Sequence, residues 1–188
     1  RTTSSAASDV YKRQRLYKDM DPIKEALTFD DVTLAPNYSE ILPSEVKTEV
    51  KLSKHLNISI PLLTSAMDTV TESNMAISIG KRGGIGVIHR NLSINDQIKE
   101  IRKVRAKKML VGAAVGASLN EHIRAQKILK ENIDLIVVDT AHGHTKKVAE
   151  IIKKIKKIKP TKTALCAGNI ATAEACLLYT SDAADDVV

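Results

Sequence analysis

Five short apolar runs begin near residues 58, 85, 109, 133 and 163, at intervals of 24 to 30 residues. A helix-periodic stretch follows each of them. A strand–helix unit repeated at that interval builds a parallel sheet with right-handed crossovers. The runs 58–63, 85–88, 109–115, 133–138 (interrupted by Asp134) and 163–167 are therefore read as strands. Between them, Thr69-Val70-Thr71-Glu72 has capping-box spacing and opens a helix carrying Met75, Ile77 and Ile79. Ser93 with Asp96 starts the next, and Ile94, Ile98, Ile101 and Val104 keep one of its faces apolar. Ser118-Leu119-Asn120-Glu121 opens a third helix. Val148, Ile151, Ile152, Ile155 and Ile158 stripe a fourth, and Thr172 begins a fifth. Residues 20–50, with Pro22, Pro36 and Pro43, read as an extended lead-in in which Leu27 to Val32 is a short strand or turn.

Doubly wound sheets and (β/α)8 barrels both satisfy this period. Polar groups after most of the strands favour the barrel: Ser65 and Asp68, His89 to Asn91, Asp139 to His144, and Asn169. A doubly wound sheet concentrates its site at one switch point, whereas a barrel collects residues from many strand ends on one rim. The expected fold is an α/β, (β/α)8 TIM barrel, of which this chain holds about the first five β/α units.

The fourth strand ends in Asp139-Thr140-Ala141-His142-Gly143-His144, a dense set of hydrogen-bonding and titratable side chains. Helix capping by Thr140 or Thr145 is the plainer reading, but a cap needs one polar residue and five are present. His142 and His144 have a spacing that suits zinc, yet no third ligand of convincing spacing accompanies them, so no metal site is assigned. Gly83-Gly84-Ile85-Gly86 precedes a strand instead of following one, which excludes a dinucleotide fingerprint. Cys166 lies inside the fifth strand with nothing nearby in sequence to lower its pKa, and reads as a small buried hydrophobe.

Seven lysines between Lys146 and Lys159 and a formal net charge of +7 raise nucleic-acid binding. The lysines sit opposite a regular apolar stripe, and aromatic residues make up only 3% of the chain, too few to stack bases. A solvated helix face without nucleic acid is the reading taken. No apolar run reaches the roughly 18 residues of a membrane helix, and two cysteines supply no disulfide framework, so a cytoplasmic protein without membrane contact is expected. The ends stand apart. Residues 4–14 read as the translation of a sequencing-library adapter, and Cys176 through Asp186 as the translation of its reverse complement. Residues 1–14 and 176–188 are therefore expected to be adapter-derived, with 15–175 a partial catalytic barrel.

In order along the chain, the motifs resemble the inosine-5'-monophosphate dehydrogenase family. They are Ala26-Leu27-Thr28-Phe29-Asp30-Asp31-Val32 with Ala35-Pro36-Asn37-Tyr38-Ser39, and Ser65-Ala66-Met67-Asp68-Thr69-Val70-Thr71-Glu72. Gly83 to His89, Val111 to Gly116, Val138 to His144 and Ala167-Gly168-Asn169 complete the series. The sister family, guanosine monophosphate reductase, shares the barrel and the Met-Asp-Thr-Val element, but Asp-Thr-Ala-His-Gly-His and Thr-Val-Thr-Glu fit the dehydrogenase better. The resemblance implies a tetrameric barrel enzyme that oxidises IMP to xanthosine monophosphate with NAD, assisted by a potassium ion bound outside this chain. It places Asp139, Thr140, Ala141 and His142 at the NAD site, Asp139 on the nicotinamide ribose. Ser65, Met67 and Asn169 fall at the IMP site. The family's nucleophilic cysteine is expected beyond Ala175, so the chain alone is expected to be inactive. Many relatives insert paired CBS modules between Val104 and Met109, where this chain has only Arg105-Ala106-Lys107-Lys108.

Overall fold

Residues 27, 28 and 30–181 are described by the computed structural model. The adapter-like run at residues 4–14, the lead-in before Leu27, Phe29 and residues 182–188 lie outside them. The chain divides into a unit of residues 1–45 and a unit of residues 46–188. In the first, Asp31 Oδ2 accepts the Thr28 backbone N–H at 2.8 Å, closing a turn where the sequence left strand or turn open. A 3-10 turn, Pro43–Glu45, ends it.

The second unit begins with an antiparallel hairpin, β1 (Val50–Ser53) and β2 (Leu56–Ile58), with Val50 opposite Ile58. A five-stranded sheet follows: β3 (Leu63–Thr64), β4 (Ile85–Ile88), β5 (Val111–Val115), β6 (Leu135–Asp139) and β7 (Ala164–Gly168). All neighbours are parallel and the spatial order is the chain order. The connections are α1 (Ser73–Gly80), α2 (Ile94–Ala106), α3 (Leu119–Ile128) with a 3-10 turn (Leu129–Glu131), and α4 (Lys146–Ile158). A last helix, α5 (Ala173–Ser181), follows β7 and runs across the Ala175–Cys176 junction. Strictly sequential order has no switch point, so the doubly wound alternative is excluded and a curled half-barrel results.

Strand pleating sorts the apolar residues into two cores. Ile88, Val111, Ala113, Val115, Ile136, Val138, Leu165 and Ala167 pack outward against the helices, including Ile101, Ile128, Ile152 and Ile155. Ile85, Val87, Ala114, Leu135 and Ala164 point inward and pack with Leu56 and Ile58 of the hairpin. All the helices therefore share one face, and the hairpin covers the inner face. Gly86 lets α1 approach: a Cβ there would lie 2.4 Å from Ala76 Cα and 2.5 Å from its Cβ.

Several boundaries differ from the sequence reading. Residues 58–63 are not one strand. Ile58 pairs in the hairpin, Pro61 interrupts the ladder, and only Leu63–Thr64 joins the sheet. The hairpin itself is absent from the sequence reading. β6 runs from Leu135; Asp134 just before it bonds the Val111 carbonyl and the Ala164 N–H through its backbone, and its Oδ2 accepts the Val111 N–H and Arg105 Nη1, all at 2.9 Å. The Thr69–Glu72 capping box does not form. Thr71 Oγ1 donates to the Ser65 carbonyl at 2.6 Å, and the Ser73 N–H is capped instead by Glu100 Oε2 of α2 at 2.9 Å. Nor does Ser118 cap α3, where Glu121 instead turns to the Gly116 N–H at 2.6 Å. Ser93 and Thr145 do cap their helices.

Gly86→Ala is expected to cost about 1–3 kcal/mol, because Ala76 backbone cannot yield as a flexible side chain would. Urea unfolding monitored by circular dichroism measures it, and an unchanged midpoint would contradict the close packing of α1 on β4.

Candidate functional site

Leu135, Val137 and Asp139 alternate inward along β6, with Leu135 sunk in the inner core and Asp139 at the strand's carboxyl end. Ala66, Met67 and Asp68 after β3, His89, Arg90 and Asn91 after β4, and Asp139 line one cleft of about 340 Å³. Its floor is apolar, with Val87, Ala114, Val137 and Cys166 in the layers beneath. Asp139 is half-buried, and among the described residues no hydrogen bond or ion pair engages its carboxylate. Two free carboxylate oxygens over an apolar floor suit a pair of neighbouring hydroxyls.

The loops that carry Met67 and Arg90 to the cleft are tied by side chains. Asn91 Nδ2 donates to Asp68 Oδ2 at 2.9 Å, joining the segments after β3 and β4. His89 is buried; its Nδ1 accepts the Asn91 N–H at 3.2 Å, which leaves the proton of the neutral ring on Nε2, 3.5 Å from Glu72 Oε1. Behind them, buried Gln97 of α2 donates to the carbonyls of Ile88 (3.3 Å) and Ala114 (2.9 Å) and accepts from Arg124 Nη1 at 2.9 Å. Arg124 Nη2 also holds the Leu92 carbonyl at 3.0 Å, and Arg124 Nε reaches Glu121 Oε1 at 3.2 Å. This network spans α2 and α3 and anchors the loop that carries Arg90 and Asn91.

The remaining expected site residues sit around the rim and do not line the cleft. Thr140 spends its hydroxyl on the Gly168 carbonyl at 2.9 Å, and its backbone N–H reaches the same carbonyl at 2.9 Å. Asn169 is exposed. Its N–H donates to the Thr140 carbonyl at 2.8 Å and its carbonyl accepts from Gly143 at 2.7 Å, so the β6 and β7 loops are stitched through their backbones. Gly143 is required there, since a Cβ would meet the Asn169 carbonyl oxygen at 2.8 Å. Tyr179 Oη donates to the Gly143 carbonyl at 2.7 Å from beneath. Ala141 and His142 are exposed in this loop, the His142 ring 6.4 Å from that of His144. His144 Nδ1 lies 2.8 Å from Thr172 Oγ1, and no three His, Cys, Asp or Glu side chains converge as metal ligands among the described residues. Ser65 is exposed after β3 and contributes its carbonyl to Thr71.

In the sequence Asp68 and His89 to Asn91 are polar residues after strands, and Asp68 and His89 also fall within the motifs that carry the resemblance; these are the signals that they belong to the rim. Gln97 and Arg124 had no such signal. Burial pushes the Cys166 thiol above its ordinary pKa, and the Asp139 carboxylate adds to the rise. A thiol held protonated in this way is a poor nucleophile.

A parallel half-barrel whose strands deliver carboxylates, a histidine and a guanidinium to one cleft at their carboxyl ends has the layout of a truncated (β/α) barrel. The chain belongs to the IMP dehydrogenase / GMP reductase domain family, whose model matches residues 26–188. It is 40% identical over 212 positions to inosine-5'-monophosphate dehydrogenase of Borreliella burgdorferi, covering 86% of this chain and 52% of that protein. Against the Cryptosporidium parvum enzyme of the same name it is 34% identical over 208 positions, covering 88% and 51%. The chain thus spans about half the length of the curated relatives it matches. With the Staphylococcus saprophyticus enzyme the alignment runs to 278 positions while using 80% of this 188-residue chain, so that relative carries extra residues inside the matched region. In this chain α2 and β5 are joined by Lys107–Leu110 alone. No described helix is long and apolar enough to cross a membrane.

Arg124→Ala is expected to cost about 3 kcal/mol or more, because it strands Gln97 Oε1, Glu121 and the Leu92 carbonyl together; thermal and urea unfolding read it. Cys166 is expected to react with iodoacetamide more slowly than the exposed Cys176, and to speed up only as pH rises beyond the usual thiol range. Peptide mapping of the alkylated chain decides it, and equal rates at neutral pH would contradict the assigned environment.

Proposed function

We propose that this chain forms the amino-terminal part of the active rim of an NAD-dependent IMP dehydrogenase, which oxidises IMP to xanthosine monophosphate on the route to guanine nucleotides. The observation that carries the reading is the unpartnered Asp139 carboxylate, turned into a cleft shared with Met67 and the residues after β4. The residues present fit a dinucleotide: Asp139 offers two acceptors to a ribose diol, and the loop of Thr140, Ala141 and His142 continues the same rim. When bound, NAD supplies the hydride acceptor. Around it, Asp139 orients the nicotinamide ribose, Met67 and Ser65 border the purine nucleotide, and Asn169 stands at the next strand end. Val87, Ala114 and Val137 keep water from beneath, which strengthens each polar contact above them. The working enzyme is a cytoplasmic homotetramer that uses a potassium ion held by residues outside this chain.

Cys166 does not serve as the nucleophile in this reading, so the 188-residue chain alone supports no turnover with IMP and NAD. In the full-length protein carrying this chain, Asp139→Ala is expected to lower kcat/KM for NAD by on the order of 100-fold, leaving KM for IMP within about threefold. NADH absorbance measures both. An unaffected kcat/KM for NAD would remove Asp139 from the cofactor site. Oxidation of NADPH with GMP in place of IMP turnover would move the chain to the reductase branch of the family.

A further inference from the structure

At the end of the sheet away from the cleft, a groove of about 540 Å³ opens between the carboxyl ends of α3 and α4. Leu129, Ile158 and Pro160 give it an apolar floor, and Gln126 and Lys130 form one wall. Ile158 is 37% exposed, although it continues the stripe whose earlier members Ile151, Ile152 and Ile155 are buried in the helix-side core. The surrounding surface is strongly basic. Residues 153–162 hold six lysines and no acidic residue, and Lys127 of α3 and Lys130 of the 3-10 turn add to them.

We infer that this groove is a docking site for an acidic protein segment that places an apolar side chain between Leu129 and Ile158. Charge complementarity identifies the occupant. On α2 the cations are matched: Lys99 pairs with Asp96, Lys103 with Glu100, Arg102 with Glu131 and Arg105 with Asp134. On α4, the exposed Lys153, Lys154 and Lys157 have no such partners among the described residues, and Lys157 stands four residues from Lys153 and three from Lys154, so it repels both. Carboxylates from a partner relieve that repulsion, and the apolar floor supplies an anchor point that charge alone does not.

The groove fits other polyanions less well. A nucleic acid would find no aromatic side chain in the lining on which to stack a base. An anionic lipid surface needs several apolar side chains to insert, and α4 has turned all of its apolar stripe except Ile158 into the core. The inference is independent of the IMP dehydrogenase reading, because it concerns the opposite end of the sheet and predicts no change at the cleft.

The test is fluorescence anisotropy of the full-length protein carrying this chain with a labelled acidic peptide bearing two leucines one helical turn apart. Two companion probes are the same peptide with serines for the leucines, and labelled oligothymidylate. Binding by the leucine peptide should weaken about tenfold or more with serine, and again with the combined Lys130→Glu, Lys157→Glu and Lys162→Glu substitutions. Lys81→Glu, on the exposed turn after α1, should leave it within about twofold. Circular dichroism of each variant separates lost binding from lost folding, and Lys157→Gln with Lys162→Gln gives a milder set that must still weaken binding. Equal affinity for the serine peptide, tighter binding of oligothymidylate, or no peptide binding would each overturn the proposal.

Discussion

The register of β6 between its two neighbours is the constraint on which the rest of the second unit depends. Leu135, Val137 and Asp139 face inward while Ile136 and Val138 face the helices, and the ladder to β5 and β7 holds that phase along the whole strand. A slip of one residue would carry Asp139 to the helix side and Ile136 to the hairpin side, so the two cores and the cleft are set by one decision. Asp134 clasps the start of that ladder, its backbone bonding Val111 and Ala164 and its carboxylate taking the Val111 N–H and the Arg105 guanidinium. Buried apolar residues on both faces then hold the strand in place, and only its last position is left polar.

Most of the architecture was readable in the chain because two periods do not overlap. Short β-branched runs alternate with stretches apolar every three to four residues, and each kind of run can bury its surface in only one way. Choosing barrel over doubly wound sheet rested on polar residues after most strands, and the sequential strand order agrees with it. The misread boundaries have a common cause. Residues 58–63 look like a strand by composition, but Ile58 is claimed by the hairpin and Pro61 has no N–H to give. Thr69 to Glu72 has capping-box spacing, but the helix starts only at Ser73, and a carboxylate from another helix does the capping. In each case a pairing outside the local pattern, or a missing N–H, outbid a local rule.

The rim was legible for the same reason as the fold, up to the point where side chains choose between ligand and backbone. Asp139 could be picked out because it ends a buried strand and nothing local needs its charge. Thr140 and Asn169 follow strands too, yet the structure shows Thr140 bonding the Gly168 carbonyl and Asn169 locking two loops through its backbone. Their positions are part of the rim while much of their bonding is internal. Gln97 and Arg124 were invisible from the chain because each looks like an ordinary polar helix residue. Only folding brings them together under the loop after β4, where four carbonyl and carboxylate acceptors are waiting.

The link of Lys107–Leu110 has an evolutionary consequence. It closes α2 onto β5 in a tight turn, with Lys108 in the left-handed region at a φ of 59°, and it does so at the end of the sheet farthest from the cleft. A graft at such a turn must bring two closely spaced ends back together, but it disturbs neither ladder nor rim. The scaffold can therefore gain or shed an accessory module there as a cassette, with its chemistry inherited unchanged on the other side.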